Sequence, residues 1–324
     1  MRAVVWEGLG TVVVRDVERA RTMEDDVLIE VAWCGVCGSD LHIVAGEHAR
    51  ARPGITLGHE VVGVVAVDGN GFSAGDPVFI NPMISCGHCD ACVRGLIQAC
   101  ANMRAVGVDI PGGLAEQLSV PKLSLRRLPN ALDLERAALI EPLAVAVRAV
   151  RRSGLRLGDR VHIIGGGPIG RLVATCAREA GAGRLTMSEA SRRRRDRAEA
   201  AMIEMIDEPD DPGAQVVFDA TGHPSVSPTL ANWARVGGQV VVVAAYPPDP
   251  VGVGLQMIMF KELTIVGSRV YTSEDIDAAV DLLTDDRIDL SGIVTSTVSL
   301  DEAPDAISRL RNGEEVKVLV NPRG

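Results

Sequence analysis

Aromatic side chains are scarce in this 324-residue chain, at 3% of the total. That removes the stacking surface on which single-stranded nucleic acids are held. Excess positive charge is missing too: the formal net charge is −10, which disfavours nucleic acid and anionic membrane as partners. No apolar run approaches the roughly 18 residues of a bilayer-crossing helix. The opening MRAVVWEGLGTVVVRDV alternates as a strand does, where a signal peptide would carry an apolar block. A cytoplasmic location is the expectation. Cysteine is limited to seven residues, an odd number, and a reducing compartment argues against disulfides, so clustered cysteines read as metal ligands.

What the chain does have is a 47% hydrophobic composition and length enough for two cored domains. Four of its cysteines crowd into CGHCDACVRGLIQAC, where Cys86, Cys89, Cys92 and Cys100 are spaced C-x2-C-x2-C-x7-C. Four thiolates complete a zinc tetrahedron and leave no position for substrate, so this reads as a structural zinc. An iron–sulfur cluster and a redox thiol pair are the competing readings.

Reactive chemistry must then lie elsewhere. A second constellation is CGVCGSDLH, residues 34 to 42, followed by GHE at 58 to 60. Cys37, His59 and Glu60 offer a sulfur, an imidazole and a carboxylate, and a zinc with three protein ligands keeps one position open. Cys34 follows the strand-like Val31-Ala32-Trp33 and reads as core. His48, in GEHARARPG, reads as a solvated loop histidine.

VHIIGGGPIGRLVATCAREAGA, residues 161 to 182, is an apolar strand, then G-x-G-x-x-G at Gly165, Gly167 and Gly170, then a helix opened by Pro168 and Ile169. Loop N–H groups and the helix N-terminus can hold a pyrophosphate there. Ile169, Leu172, Val173, Cys176, Ala177 and Ala180 fall on one helical face, which puts Cys176 in the core. The next strand, RLTMSE, ends at Glu189, about 20 residues on, where an acidic side chain accepts hydrogen bonds from a ribose diol. That favours NAD. SRRRR, residues 191 to 195, pulls toward the 2′-phosphate of NADP, or lets an arginine such as Arg194 lie over the adenine; the acidic residue keeps NAD ahead.

QVVFDATG, GGQVVVVAAY and LTIVGSRV add strands, giving an α/β doubly wound parallel sheet. One connection is short. Between a strand near Met205–Asp207 and one starting at Gln215 lies only EPDDPGA, whereas a parallel crossover usually takes about a dozen residues. In strand order 3-2-1-4 the chain must cross about 14 Å, and seven residues reach roughly 23 Å. The expectation is a crossover without its helix and a sheet face less covered there.

With both sites in place, the chain resembles the zinc-dependent medium-chain dehydrogenases, particularly the polyol, sorbitol and threonine dehydrogenase-like branch. The matching stretches are CGVCGSDLH, GHEVVGVV, GDPVFINP, the four-cysteine lobe, GGLAE, EPLAVAVRA, GGGPIG, FDATG and EEVKVLV. The resemblance implies a GroES-like catalytic domain of residues 1–141 and 270–324, with a Rossmann domain at 142–269 and the active site in a cleft. It implies two zincs per chain, one catalytic on Cys37 and His59, with Glu60 or Glu141 completing the set, and one structural. It implies oxidation of a secondary alcohol, polyol or cyclitol-like substrate with NAD as hydride acceptor, or the reverse reduction of a ketone. Ser39 and His42 match a proton relay to solvent, and Gly267, Ser268 and Arg269 match the cofactor-side loop. Homodimers and homotetramers are both implied.

Departures from the branch bear on the substrate. Ile43 stands where sorbitol enzymes place tyrosine, and Leu114 where GGLAE commonly has an aromatic, so the expected pocket is more aliphatic. GSRVY carries its arginine one place early, so Arg269 and Tyr271 stand as candidate substrate contacts or as surface loop. Two rival readings follow: a zinc-free enone or quinone reductase, which lacks these ligands, and a non-catalytic nucleotide-binding protein with structural zincs, which has no use for Ser39 and His42.

Overall fold

The computed structural model describes residues 1–20 and 22–324. The chain divides into two compact units, Met1–Glu141 with Leu283–Asp285 and Val294–Gly324, and Pro142–Leu282 with Asp286–Ile293. The second unit runs on past residue 270. Most of the Ser273–Thr284 helix, as far as Leu282, stays with the second unit, where its buried Asp275 accepts from Arg151 at 2.9 Å and lies 3.7 Å from Arg148.

In the first unit, alternation sets the main sheet. Val27, Ile29, Val31 and Cys34 of the eleven-residue strand Asp26–Val36 enter one core. This strand pairs antiparallel with Gln117–Pro121, with Glu60–Val65 and, at its end, with Val318–Asn321. A bulge between Val31 and Trp33 bends it. Cys34 is fully buried in that core, and burial, ahead of the nearby acids, pushes its thiol well above the ordinary range.

The second unit is a six-stranded parallel sheet in the order Glu204–Met205, Arg184–Ser188, Arg160–Ile164, Ala214–Asp219, Ala234–Val242, Thr264–Gly267. That is an α/β doubly wound sheet. Helix Pro168–Glu179 follows the central strand and buries Leu172, Val173, Cys176 and Ala177. Its apolar face ends there: Ala180 is the C-cap and is exposed, because the chain leaves the sheet at Gly181. Cys176 is core, its thiol pushed up to about 12 by burial.

Residues 206–213 contain no helix. The sheet face beside them is not left bare, however. Asp210 on the crossing segment accepts from Arg184 at 2.6 Å and Arg160 at 3.2 Å. Next to these, the Trp233 ring stacks on His162, 3.9 Å between centroids and 2° from parallel. A polar strap and one aromatic ring replace the missing helix.

Candidate active site and cofactor site

Cys37 ends the long central strand's excursion and N-caps helix Gly38–Val44. Asp40, three residues on, accepts the Cys37 N–H at 2.8 Å and so closes a capping box. The other Asp40 oxygen accepts the Gly58 N–H at 3.3 Å and lies 3.7 Å from His59 Nδ1. One buried carboxylate thus ties the Cys37 turn to the His59 turn. With Nδ1 facing Asp40, His59 Nε2 faces the Ser39 hydroxyl, 3.3 Å away. Burial opposes a charge on His59, but the Asp40 carboxylate and then the Cys37 sulfur outweigh it and push the imidazole well above its ordinary range. Asp40 is lowered: its burial is outweighed by His59 and by the two backbone N–H donors.

Glu60 begins the strand paired with Asp26–Val36, directly opposite Gly35. A side chain at Gly35 would overlap the Glu60 carboxylate, so glycine is what lets that carboxylate lie across the strand. Oε2 of Glu60 accepts from buried Lys317, and Oε1 is buried with no hydrogen-bond partner among the described residues. Donor atoms of Cys37, His59 and Glu60 lie within 4.8 Å of one another. A thiol, an imidazole nitrogen and a carboxylate oxygen at that spacing fit a divalent zinc, and the buried carboxylate keeps one oxygen unpartnered. Glu141 is buried in the first turn of helix Ile140–Arg152 and is outside that converging set. Its charge reaches Lys317, after that of Glu60.

The four-cysteine lobe is equally well formed. Sulfur separations are 3.5 Å for Cys89 to Cys92, 3.5 Å for Cys86 to Cys100 and 3.9 Å for Cys89 to Cys100. Four sulfurs about 2.3 Å from a tetrahedral centre stand about 3.8 Å apart. The lobe fits zinc, and the thiols are unpaired by disulfides. N–H groups of His88 and then Cys89 bring the Cys86 thiol down to about 6, favouring the thiolate that a metal needs.

In the second unit, Glu189 accepts the Gly166 N–H at 2.7 Å and the Ser191 N–H at 2.8 Å, with Arg194 3.9 Å away. Gly165, Gly167, Glu189 and Arg194 line a cavity of 580 Å³, where Asp207 and His223 join them. Pro168 and Ile169 form the first turn of the helix beneath, and Gly170 is buried there. Gly267, Ser268 and Arg269 do not line that cavity: Ser268 is buried and Arg269 is exposed, past the last strand. Arg195 pairs with Asp207.

Four expectations change. His48 is half-buried, its Nδ1 accepting from Arg50 and Ala51, and burial lowers its affinity for a proton. Ile43 and Leu114 are fully buried among the apolar side chains of the main core, and so are not open pocket walls. Tyr271 is buried, not surface loop. His42, by contrast, is exposed and hydrogen-bonded to Glu47.

Two residues of the site were not singled out in the sequence. Asp40 lies inside CGSDLH, where an acid three residues after a candidate N-cap is a capping-box signal. Lys317 is a lone cation within the otherwise apolar VKVLV, residues 316 to 320, an inconsistency that marks a buried partner.

Comparison with known proteins now decides the family. Residues 23–130 match the alcohol dehydrogenase GroES-like domain, and residues 168–285 match the zinc-binding dehydrogenase family. The chain belongs to the zinc-dependent medium-chain dehydrogenases. It is 35% identical over 312 residues to 2-dehydro-3-deoxy-L-galactonate 5-dehydrogenase of Pseudoalteromonas atlantica, covering 91% of each. With sorbitol dehydrogenase of Halalkalibacterium halodurans it shares 30% identity, over 99% of each chain. Among solved structures, one described as a zinc-binding dehydrogenase from Sinorhizobium meliloti, bound to NADP, superposes with a TM-score of 0.92 at 34% identity, over 99% of each. Medium-chain dehydrogenases of this kind are nicotinamide-dependent oxidoreductases acting between alcohols and ketones, and this chain is such an enzyme. No helix among the described residues is long and apolar enough to cross a membrane.

Proposed function

We propose that this medium-chain dehydrogenase oxidises a secondary alcohol of the polyol or sugar-acid kind, or reduces the matching ketone, with NAD preferred over NADP. The observation that carries the reading is the convergence of Cys37, His59 and Glu60 donor atoms within 4.8 Å. Cys37 and His59 would hold a catalytic zinc, and Cys86, Cys89, Cys92 and Cys100 a structural one. When bound, the catalytic zinc supplies a Lewis acid toward the substrate oxygen and the nicotinamide supplies the hydride acceptor or donor.

The protein's own groups account for orientation and proton traffic. The Asp40 carboxylate, 3.7 Å from Nδ1, lies on that side of the His59 ring by charge attraction, which would leave Nε2 for the metal. Lys317 engages one Glu60 oxygen, so the sulfur and the imidazole would be the two committed ligands, with the carboxylate role falling to Glu60, which converges with them, or to Glu141, buried at the start of its helix outside that set. Ser39, beside His59 Nε2, offers a hydroxyl through which the alcohol proton moves on toward exposed His42. Glu189 supports NAD, since its carboxylate would face a 2′-phosphate with like charge. The reading includes a homodimer or homotetramer in the cytoplasm. The open edge strand Thr264–Gly267, with Ile265 on it and Met259 and Phe260 in the preceding helix all exposed, supports self-association.

The test is a parallel screen of sorbitol, xylitol, 2,3-butanediol and sugar acids with NAD⁺ and NADP⁺, with metal analysis of the same preparation. Two zincs per chain, turnover with at least one secondary alcohol, and loss of turnover in Cys37→Ala with the fold intact are expected. Turnover of enones without bound zinc, or full activity in Cys37→Ala, would overturn the reading.

A further inference from the structure

Helix Gly38–Val44 ends in a way that brings a second side chain onto His42. The Gly46 N–H donates to Ile43 O and the Glu47 N–H donates to His42 O, each at 2.9 Å, with Gly46 at φ +73°. This is the paired-bond ending that a left-handed glycine permits, and it folds the residue after the glycine back over the last turn. Glu47 is therefore tied to His42 through its backbone, and its carboxylate Oε2 stands 2.7 Å from His42 Nδ1.

We infer that Glu47 is a positioning residue for the proton relay, holding His42 in the tautomer that carries its proton on Nδ1. The inference rests on the relay reading of Ser39 and His42 given above. An ionised carboxylate can only accept a hydrogen bond, so the ring nitrogen facing it must be the N–H. The neutral ring then presents its lone pair at Nε2. An arriving proton adds at Nε2 to give the imidazolium, one proton then passes to bulk water, and the neutral ring settles again with Nδ1–H on Glu47. Proton count is conserved and no other reagent enters. Solvent is at hand for the release, because the His42 and Glu47 side chains are 68% and 63% exposed. Without Glu47 the ring divides between two tautomers, and in one of them Nε2 already carries a proton and cannot accept another.

Two measurements on the zinc-loaded full chain test this. The first is long-range ¹H–¹⁵N correlation of histidine-labelled protein, with His42→Asn identifying the His42 signals. Wild type should show neutral His42 protonated at Nδ1, Glu47→Ala should shift the population toward the Nε2–H form, and Glu47→Gln, whose amide oxygen still accepts, should retain Nδ1–H. An unchanged tautomer in Glu47→Ala would overturn the inference whatever the kinetics show. The second is steady-state oxidation of sorbitol or 2,3-butanediol. Glu47→Ala should lower kcat about fivefold with KM for NAD⁺ unchanged, raise the solvent isotope effect, and add nothing to His42→Asn, which alone should cost about tenfold or more. A slowed His42→Asn beside an unaffected Glu47→Ala would sink the inference and leave the relay standing. An unaffected His42→Asn would remove the relay itself, and the role of Glu47 with it.

Discussion

Lys317 Nζ donates to Glu60 Oε2 and, at 3.1 Å, to the Val36 carbonyl, with both charged side chains closed off from solvent. Burial works against the Lys317 ammonium, yet the Glu60 carboxylate outweighs it and holds the group above its ordinary range. A buried ion pair is weak evidence of net stabilisation, but removing one partner strands the other. Lys317→Met should therefore lower unfolding stability by roughly 3–5 kcal/mol, and adding Glu60→Gln should recover much of the loss. Urea unfolding of the two variants measures this, and a single variant as stable as wild type would show that the charge is not stranded.

The four-cysteine lobe lacks a hydrophobic core of its own: Val93, Leu96 and Ile97 are exposed and its helix Asp90–Val93 buries no residue. On the two-zinc reading, metal bonds substitute for packing there. Cys89→Ser should reduce zinc content from two ions per chain to one, and should make residues 86–100 the first segment cut by protease. Metal analysis with limited proteolysis checks both expectations. A variant that still holds two ions would contradict the tetrahedral assignment.

The sequence brought the candidate metal donors and the candidate nucleotide loop into view because both depend on short-range spacing. Cys37, His59 and Glu60 sit within two short motifs, and the loop at Gly165 announces itself by its place between strand and helix. What stayed hidden depends on distant partners. Lys317 meets Glu60 across 257 positions, and Ile43, on a short helix, and Leu114, in a loop, looked like pocket walls because nothing local says that both pack into the main core. The short crossing before Ala214 was legible from chain length alone, whereas its covering by Trp233 was not. The run of the second unit past residue 270 was hidden for a similar reason. Asp275 commits its helix to Arg148 and Arg151, more than 120 residues earlier.

His162 gives the second unit a predictable response to acid. The ring is buried, stacked on Trp233, with Nδ1 2.9 Å from the Thr186 hydroxyl and Nε2 3.2 Å from the Ser188 hydroxyl, and burial brings it down to about 3. An unfolded histidine titrates near 6.5. Between those two values the unfolded chain binds the extra proton, so stability rises with pH across that window and the His162 penalty is absent above about 6.5. At pH 4.5 the loss from this one group is about 2–3 kcal/mol relative to neutral pH. His162→Gln, which keeps hydrogen-bonding capacity without a titrating ring, should flatten the slope of unfolding free energy between pH 4.5 and 6.5. An equal slope in the variant would place the acid sensitivity elsewhere.

Cofactor choice is expected to turn on Glu189 and Arg194 together. Both Glu189 oxygens already accept backbone N–H groups, from Gly166 and Ser191, so the carboxylate is held in place and cannot swing away from an incoming 2′-phosphate. Arg194 stands 3.9 Å from it and lines the same cavity, where such a phosphate could recruit it. Glu189→Gln removes the like charge while keeping an oxygen for one of the N–H donors, and should raise the ratio of kcat/KM for NADP⁺ over NAD⁺ about tenfold, equivalent to about 1.4 kcal/mol. Adding Arg194→Ala should cancel most of that gain by removing the compensating guanidinium. Initial rates with both nucleotides, on wild type and the two variants, decide the matter. If Arg194→Ala leaves the gain intact, the arginine serves the helix surface or the adenine instead, and discrimination belongs to the carboxylate alone.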